Sequence, residues 1–231
     1  MLQFRRLAFA LLASSVALVA CGGDDVTGTD ANNATVQFIN ATAVSLDVAQ
    51  GGTVATGNGA LSYGTTSLCI TTDATNSNLT VRQTGTSIPL TGFTPAFQPG
   101  GNYSVIAYPG AAGAIQFGTV SNAFTPATGQ AGLRVVNVGA VGSNYDVYVT
   151  APGAPLGTSS ANNIGVGTGS SYFNVSATGP QHIAVTNAGS QQVVLDFGSS
   201  NTFTAGKLST LVITAPAPGS SSPRGFIIGG C

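Results

Sequence analysis

The chain has few groups that carry charge or titrate near neutral pH. Its 231 residues include six Lys and Arg, seven acids that are all aspartate, one histidine, and neither glutamate nor tryptophan. Six basic residues and a net charge of −1 offer no basic face to a phosphate backbone, so the composition argues against nucleic-acid binding. Acid–base catalysis needs titratable side chains, so the composition also argues against an enzyme, and we expect no cofactor.

The N-terminal segment has the pattern of an export signal. Arg5 and Arg6 precede an apolar run over residues 7–18, and the segment closes on Leu18-Val19-Ala20-Cys21. This closing motif resembles the lipobox of bacterial lipoproteins. The resemblance implies cleavage before Cys21, attachment of lipid to its thiol, and acylation of the new amino terminus, with palmitate an expected acyl chain. Gly22 follows, rather than the aspartate of inner-membrane retention signals, which favours an outer-membrane address. The alternative is an ordinary secretory signal with a chance cysteine.

Residues 1–20 are therefore predicted to be a signal peptide and residues 21–33 a lipidated, flexible tether. Residues 22–33 contain three aspartates, two asparagines and two threonines. Their spacing lacks the alternating acids of a calcium loop. Past the signal, apolar runs fall short of the roughly 20 residues that a membrane helix needs. We expect the membrane to be a partner through the lipid alone.

The remainder of the chain resembles itself. Five short segments recur in order, at offsets that rise from 97 to 106: 36–40 with 133–137, 46–48 with 145–147, 63–65 with 166–168, 79–81 with 183–185, and 97–100 with 203–206. This drift is typical of two copies of one domain with small loop insertions. The copies are predicted at 34–126 and 131–231, each large enough for its own core.

The segments within each copy have the pattern of β-strands. They are rich in Val, Ile, Thr, Phe and Tyr, and Gly, Asn, Pro and Ser interrupt them every 8–12 residues or so. The predicted fold class is all-β: two tandem antiparallel, immunoglobulin-like β-sandwiches of about seven strands each, without helices. Each copy is predicted to end in a hairpin, pairing 104–108 with 115–120 and 210–214 with 226–228.

These motifs resemble the DUF4397 domain. The pieces that carry the resemblance are a strand ending in Asn40, the Asp-Val strand at 46–48, Tyr-Gly-Thr at 63–65, and Gly101 before the strand at 103–105. The second copy offers 133–137, 145–149 and the weaker 207–212, with Val166-Gly167 in place of Tyr-Gly. The resemblance implies an immunoglobulin-like envelope or secreted domain over residues 34–231. Because the function of that family is unknown, it brings no active site.

Three features could carry chemistry, and each has a simpler structural interpretation. His182, the one histidine, is interpreted as a polar residue at a strand end, and it lacks the neighbours in sequence of a zinc site. Asp47 and Asp146 occupy equivalent places in the two copies, and we expect them to face solvent or bind backbone amides of a turn. The glycine-rich residues 165–169 lack the following helix of a phosphate loop. We therefore predict neither catalytic residues nor a metal site.

Two cysteines remain once Cys21 is assigned to lipid. Cys69 and Cys231 are an even number of thiols, which suits a disulfide in an oxidising envelope. Free or intermolecular thiols are the alternative.

The favoured function is a lipid-anchored, non-catalytic binding or structural module of the cell envelope, on the periplasmic face or the cell surface. Its expected partner is an envelope protein or a glycan, reached through loop ends or a sheet edge. The alternative is a secreted hydrolase or an accessory subunit of an envelope enzyme. The sequence leaves the ligand and the oligomeric state open.

Overall fold

The computed structural model describes residues 32–55, 59–110, 113–140 and 142–231. The predicted signal peptide, the lipidation site Cys21 and most of the tether lie outside these residues. Within them the chain is all-β and contains no helix, as predicted.

The first β-sandwich has two sheets with strand orders β4-β1-β6-β7 and β3-β2-β5. Its described strands are β1 (Asn33–Asn40), β2 (Leu46–Gln50), β3 (Thr53–Val54), β4 (Ile70–Asp73), β5 (Leu79–Gln83), β6 (Asn102–Pro109) and β7 (Ile115–Ser121). The predicted hairpin is confirmed, because β6 and β7 pair antiparallel from Tyr103 opposite Ser121 to Pro109 opposite Ile115.

The second sandwich repeats this plan with orders β11-β8-β15-β16 and β10-β9-β13-β14, and β12 also pairs with β8. Its described strands are β8 (Gln130–Val138), β9 (Tyr145–Thr150), β10 (Ala161–Ile164), β11 (Thr168–Gly169), β12 (Phe173–Ser176), β13 (His182–Asn187), β14 (Val193–Asp196), β15 (Leu208–Thr214) and β16 (Arg224–Gly229). The hairpin of β15 and β16 is confirmed.

Both sandwiches contain one parallel strand pair that the sequence did not predict. β1 runs parallel to β6, and β8 runs parallel to β15, whereas the other pairs are antiparallel. A parallel pair needs a long connection. Here the chain forms the whole of the opposite sheet between the two partner strands. Local sequence patterns do not indicate which of two such distant strands will pair.

Each sandwich encloses its own apolar core. In the first, alternate residues of β1 and β6 point inward, with Val36 and Val105 fully buried against Val48 and Val81 of the other sheet. In the second, Leu133 and Leu211 pack against Val147 and Ile183. Complete burial of one such side chain contributes about 1.5–3 kcal/mol.

A third apolar cluster joins the two sandwiches face to face. It consists of Ile39, Ala41 and Ile106 from the first and Val136, Val138 and Val212 from the second, and we call it the inter-domain cluster. Tyr108, Val120, Phe226 and Ile228 pack around it. The four sheets therefore stack in layers, and the β1 and β8 sheets are covered on both faces.

The two sandwiches meet through equivalent positions. Ile39 lies opposite Ile106 in the β1–β6 pair, and Val136 lies opposite Val212 in the β8–β15 pair. All four belong to the inter-domain cluster. The contact therefore resembles a two-fold, self-complementary interface contained in one chain.

Candidate functional site

A disulfide connects the two sandwiches. Cys69 lies just before β4, Cys231 follows β16, and their sulfur atoms are bonded with Cα atoms 5.8 Å apart. The structure thus brings together the two cysteines that the sequence singled out. The bridge ties the last strand of the second sandwich to the first sandwich across 162 residues of chain.

The Tyr-Gly pair of the first sandwich contacts the second sandwich. Tyr63 packs edge-on against Phe226 with ring centroids 5.4 Å apart, and its hydroxyl lies 2.7 Å from the Thr214 hydroxyl. The guanidinium of Arg224 lies 4.4 Å from the centre of the Tyr63 ring. Gly64 has a φ of +76°, which is why glycine suits this turn, and a Cβ there would lie at an ordinary contact distance of 3.5 Å from Phe226.

The asparagine that ends the first strand of each sandwich fastens a loop. Asn40 is fully buried, donates to the carbonyls of Val44 and Leu61, and accepts from the backbone and hydroxyl of Thr42. Asn137 donates in the same way to the Ser143 and Ile164 carbonyls. The motif that carries the family resemblance is thus structural.

Asp47 and Asp146 lie on the two outermost sheets, and the structure does not bring them together. Asp47 accepts a hydrogen bond from the Thr84 hydroxyl and lies 4.0 Å from the Arg82 guanidinium. Asp146 is buried and accepts from the backbone amides of Asn163 and Gly189. Asp146 therefore has the amide-binding role expected of it, whereas the partners of Asp47 are side chains.

His182 has partners that the sequence did not indicate. Its Nε2 lies 3.0 Å from Asp196 Oδ1, and its Nδ1 lies 3.5 Å from the Thr150 hydroxyl. Thr150 is directly opposite His182 on β9, and Asp196 lies on the neighbouring β14. A carboxylate, an imidazole and a hydroxyl are the groups of a hydrolytic triad, but here the carboxylate contacts Nε2 and the hydroxyl Nδ1, the reverse of the serine-protease arrangement. Asp196 is also exposed, and the contact of His182 with Thr150 is long.

Residues 165–169 form the turn that leads from β10 into β11. Gly167 has a φ of +75°, and Gly169 pairs with Val136 in the sheet. A β-strand follows this turn, whereas a helix follows the glycine-rich turn of a phosphate-binding loop.

Sequence reasoning missed Arg134, which is 2% exposed in the middle of β8. Its Nε donates to the Thr210 hydroxyl, Nη1 to the Ser121 carbonyl, and Nη2 to Asn122 Oδ1. Burial lowers the pKa of the Arg134 guanidinium from its ordinary value. An arginine between the apolar neighbours Leu133 and Val135 was the available signal.

Tyr172 covers the face of this guanidinium. The Arg134 carbon Cζ lies 4.8 Å from the ring centre, and the Tyr172 hydroxyl donates to Asn122 Oδ1 at 3.3 Å. Burial raises the pKa of the Tyr172 phenol, and the charge of Arg134 opposes that rise. Phe124 stacks on Tyr172 with centroids 5.4 Å apart and planes 18° from parallel.

A cavity of about 500 Å³ opens beside this group. Its walls come from the end of β7, the linker that joins β7 to β8 (residues 122–129), β8, and residues 169–172 ahead of β12. They include Val120, Ser121, Phe124, Arg134, Ser170 and Tyr172. This site between the sandwiches is the candidate functional site. Its position fits the general preference of ligand pockets for domain interfaces.

Among the described residues, no group of three or more His, Cys, Asp and Glu could hold a metal ion. In the same part of the chain, no helix has the length and apolar character needed to cross a membrane.

Comparison with known families gives one match. Residues 34–148 match the model of DUF4397, described as a domain of unknown function. The match covers the described strands of the first sandwich and β8, and it ends within β9. It supports the resemblance found in the sequence for that region, whereas a second copy beyond residue 148 stays a prediction. The curated proteins contain no match to the chain.

Proposed function

We propose that this chain is a lipid-anchored, non-catalytic binding or structural module of the cell envelope. In this proposal residues 1–20 are a lipoprotein signal peptide, Cys21 carries the lipid, and residues 131–231 form a second copy of the DUF4397 domain. The outer membrane is the favoured address, on its periplasmic or outer surface.

The disulfide between Cys69 and Cys231 carries the proposal, because stable disulfides belong to oxidising compartments such as the bacterial envelope. The apolar segment 7–18 and Cys21 supply a route to that compartment and an anchor within it. More than one acyl chain gives stable anchoring, whereas one chain is marginal.

Metabolic labelling with an alkyne analogue of palmitate tests the anchor. We expect label on the wild-type chain, which should fractionate with outer membranes, and neither property in Cys21→Ser. The matched control is C69S/C231S, which loses two cysteines that are unsuited to lipidation and should stay labelled. Label that persists in Cys21→Ser would contradict the proposal.

The partner is proposed to be another envelope protein or a glycan. Cross-linking in intact cells followed by pull-down, combined with protease shaving, would identify the partner and the membrane face. Recovery of cytoplasmic proteins alone would contradict an envelope location.

The arrangement of Thr150, His182 and Asp196 favours a second candidate, a secreted hydrolase or an accessory subunit of one. A hydroxyl-directed activity probe separates the two candidates. A non-catalytic module gives no specific labelling, whereas a hydrolase gives labelling that is lost in Thr150→Ala and His182→Gln. Gln191→Ala is the control, because Gln191 donates to the Tyr148 hydroxyl and has no hydrogen bond to Thr150, His182 or Asp196.

A further inference from the structure

We propose that the cavity between the two sandwiches binds a small monocarboxylate, with Arg134 holding the carboxylate and the Phe124–Tyr172 pair holding an apolar or aromatic body. This inference goes beyond the proposed function, because it rests on the residues of the cavity and not on the lipid anchor.

The hydrogen bonds of Arg134 use only part of its donor capacity. A guanidinium has five N–H donors. Three of them are used, by the Thr210 hydroxyl, the Ser121 carbonyl and Asn122 Oδ1. Two N–H groups therefore have no acceptor among the described residues. The three bonds that exist hold the group in one orientation, so its remaining donors are preorganised.

The charge of Arg134 has no carboxylate partner among the described residues. The partners of Arg134 are neutral, and the four aspartates that the structure describes are engaged elsewhere. Asp47 contacts Thr84 and Arg82, and Asp73 lies in its own turn. Asp146 accepts backbone amides, and Asp196 contacts His182. A buried charge is costly unless an opposite charge or a dense hydrogen-bond shell compensates it. An anionic ligand would supply the missing charge.

The size, the aromatic wall and the single charge of the cavity suit a small monoanion. The volume of about 500 Å³ lies within the range of small-molecule pockets. Phe124 and Tyr172 present stacked rings, which suit a flat or apolar body. Arg134 is the one cationic side chain among the described lining residues, which favours a monoanion over a doubly charged phosphate. The planar fork of arginine matches a planar carboxylate.

The experiment uses the purified full-length chain and fluorine NMR of 4-fluorobenzoate, with 4-fluorobenzamide as its neutral counterpart of equal size. We expect saturable broadening of the benzoate signal and binding of the amide that is about tenfold weaker or less, because the amide lacks the charge-assisted bond. Equal binding of the two compounds, or no saturable binding of the benzoate, would overturn the proposal.

Two variants locate the binding. Arg134→Gln removes the charge and should weaken benzoate binding about tenfold or more. Ser171→Trp places a large ring at an exposed residue of the cavity wall and should block the site with the Arg134 network intact. The matched control is Arg224→Gln, which removes a guanidinium that also lies over a tyrosine ring but outside the cavity lining.

Ser171→Trp keeps the test decisive even if Arg134→Gln fails to fold. Wild-type affinity for the benzoate in a folded Ser171→Trp chain would overturn the location. Loss of affinity in Arg224→Gln equal to that in Ser171→Trp would overturn it as well. Failure of this proposal would leave the palmitate labelling of Cys21 unaffected, so the two proposals fail separately.

Discussion

Removal of the disulfide is expected to destabilise the chain more than a typical single substitution. The bond between Cys69 and Cys231 closes a loop with a sequence separation of 162 residues. In the chain-entropy model a loop of this length restricts the unfolded state enough to contribute roughly 5 kcal/mol to the free energy of unfolding. Measured values are often smaller, so we expect C69S/C231S to lose about 2–5 kcal/mol.

Urea unfolding followed by far-UV circular dichroism measures this loss. The cross-link limits how far the unfolded chain expands, so its removal should expose more surface on unfolding and increase the denaturant slope while the midpoint falls. Wild-type protein under reducing conditions supplies the matched control. It loses the same bond without a change of side chain, and it should unfold together with C69S/C231S.

Two results would refute this reasoning. One is a loss below about 0.5 kcal/mol with an unchanged slope, since that would mean that the loop does not restrict the unfolded chain. The other is a thiol assay of unreduced protein that finds both Cys69 and Cys231 free, since the bond itself would then be missing.

Further predictions concern the buried asparagines and one aspartate. Asn40→Ala and Asn137→Ala should each lower the free energy of unfolding by about 2–4 kcal/mol, because buried loop carbonyls lose their donors. Chemical denaturation measures this loss, and Asn76→Ala, at an exposed residue, is the control. A loss no larger than that of the control would contradict the prediction. The pKa of Asp73 is lowered, first by the Thr75 hydroxyl and then by backbone amides. The ionised Asp73 carboxylate therefore stabilises the fold at pH values above its pKa in the unfolded chain. This stabilisation is lost as the pH falls through the lower pKa of Asp73 in the folded chain. NMR titration should show a lowered Asp73 pKa that rises in Thr75→Val, and equal values in the two proteins would contradict the assignment.

The strands could be predicted because they depend on local patterns. Residues 103–108 show apolar side chains on both faces, which the sequence alone leaves unexplained. The structure gives the reason: Val105 points into the first core, whereas Ile106 points into the inter-domain cluster. The parallel pairing of β1 with β6 escaped prediction because the alternation of a strand is the same in parallel and antiparallel sheets.

The candidate site could not be predicted because its parts are distant in sequence. Arg134 and Tyr172 are 38 positions apart, and Asn122 belongs to the linker. The same holds for His182, whose partners Thr150 and Asp196 lie on the two strands that flank its own. The disulfide could be predicted, because the prediction depended only on the number of cysteines and on an oxidising compartment.

The polar network around Arg134 gives the interface between the sandwiches a specificity that its apolar cluster cannot. Apolar contacts are non-directional, so two flat sheet faces could slide with little change in buried area. Hydrogen bonds are directional, and Asn122 Oδ1 accepts one from each of Ser104, Arg134 and Tyr172. If one sandwich slid over the other, these buried groups would lose their hydrogen-bond partners, at a cost of about 1–3 kcal/mol for each. Because the cavity walls come from both sandwiches and the linker, the same network that selects one orientation also maintains the cavity's shape.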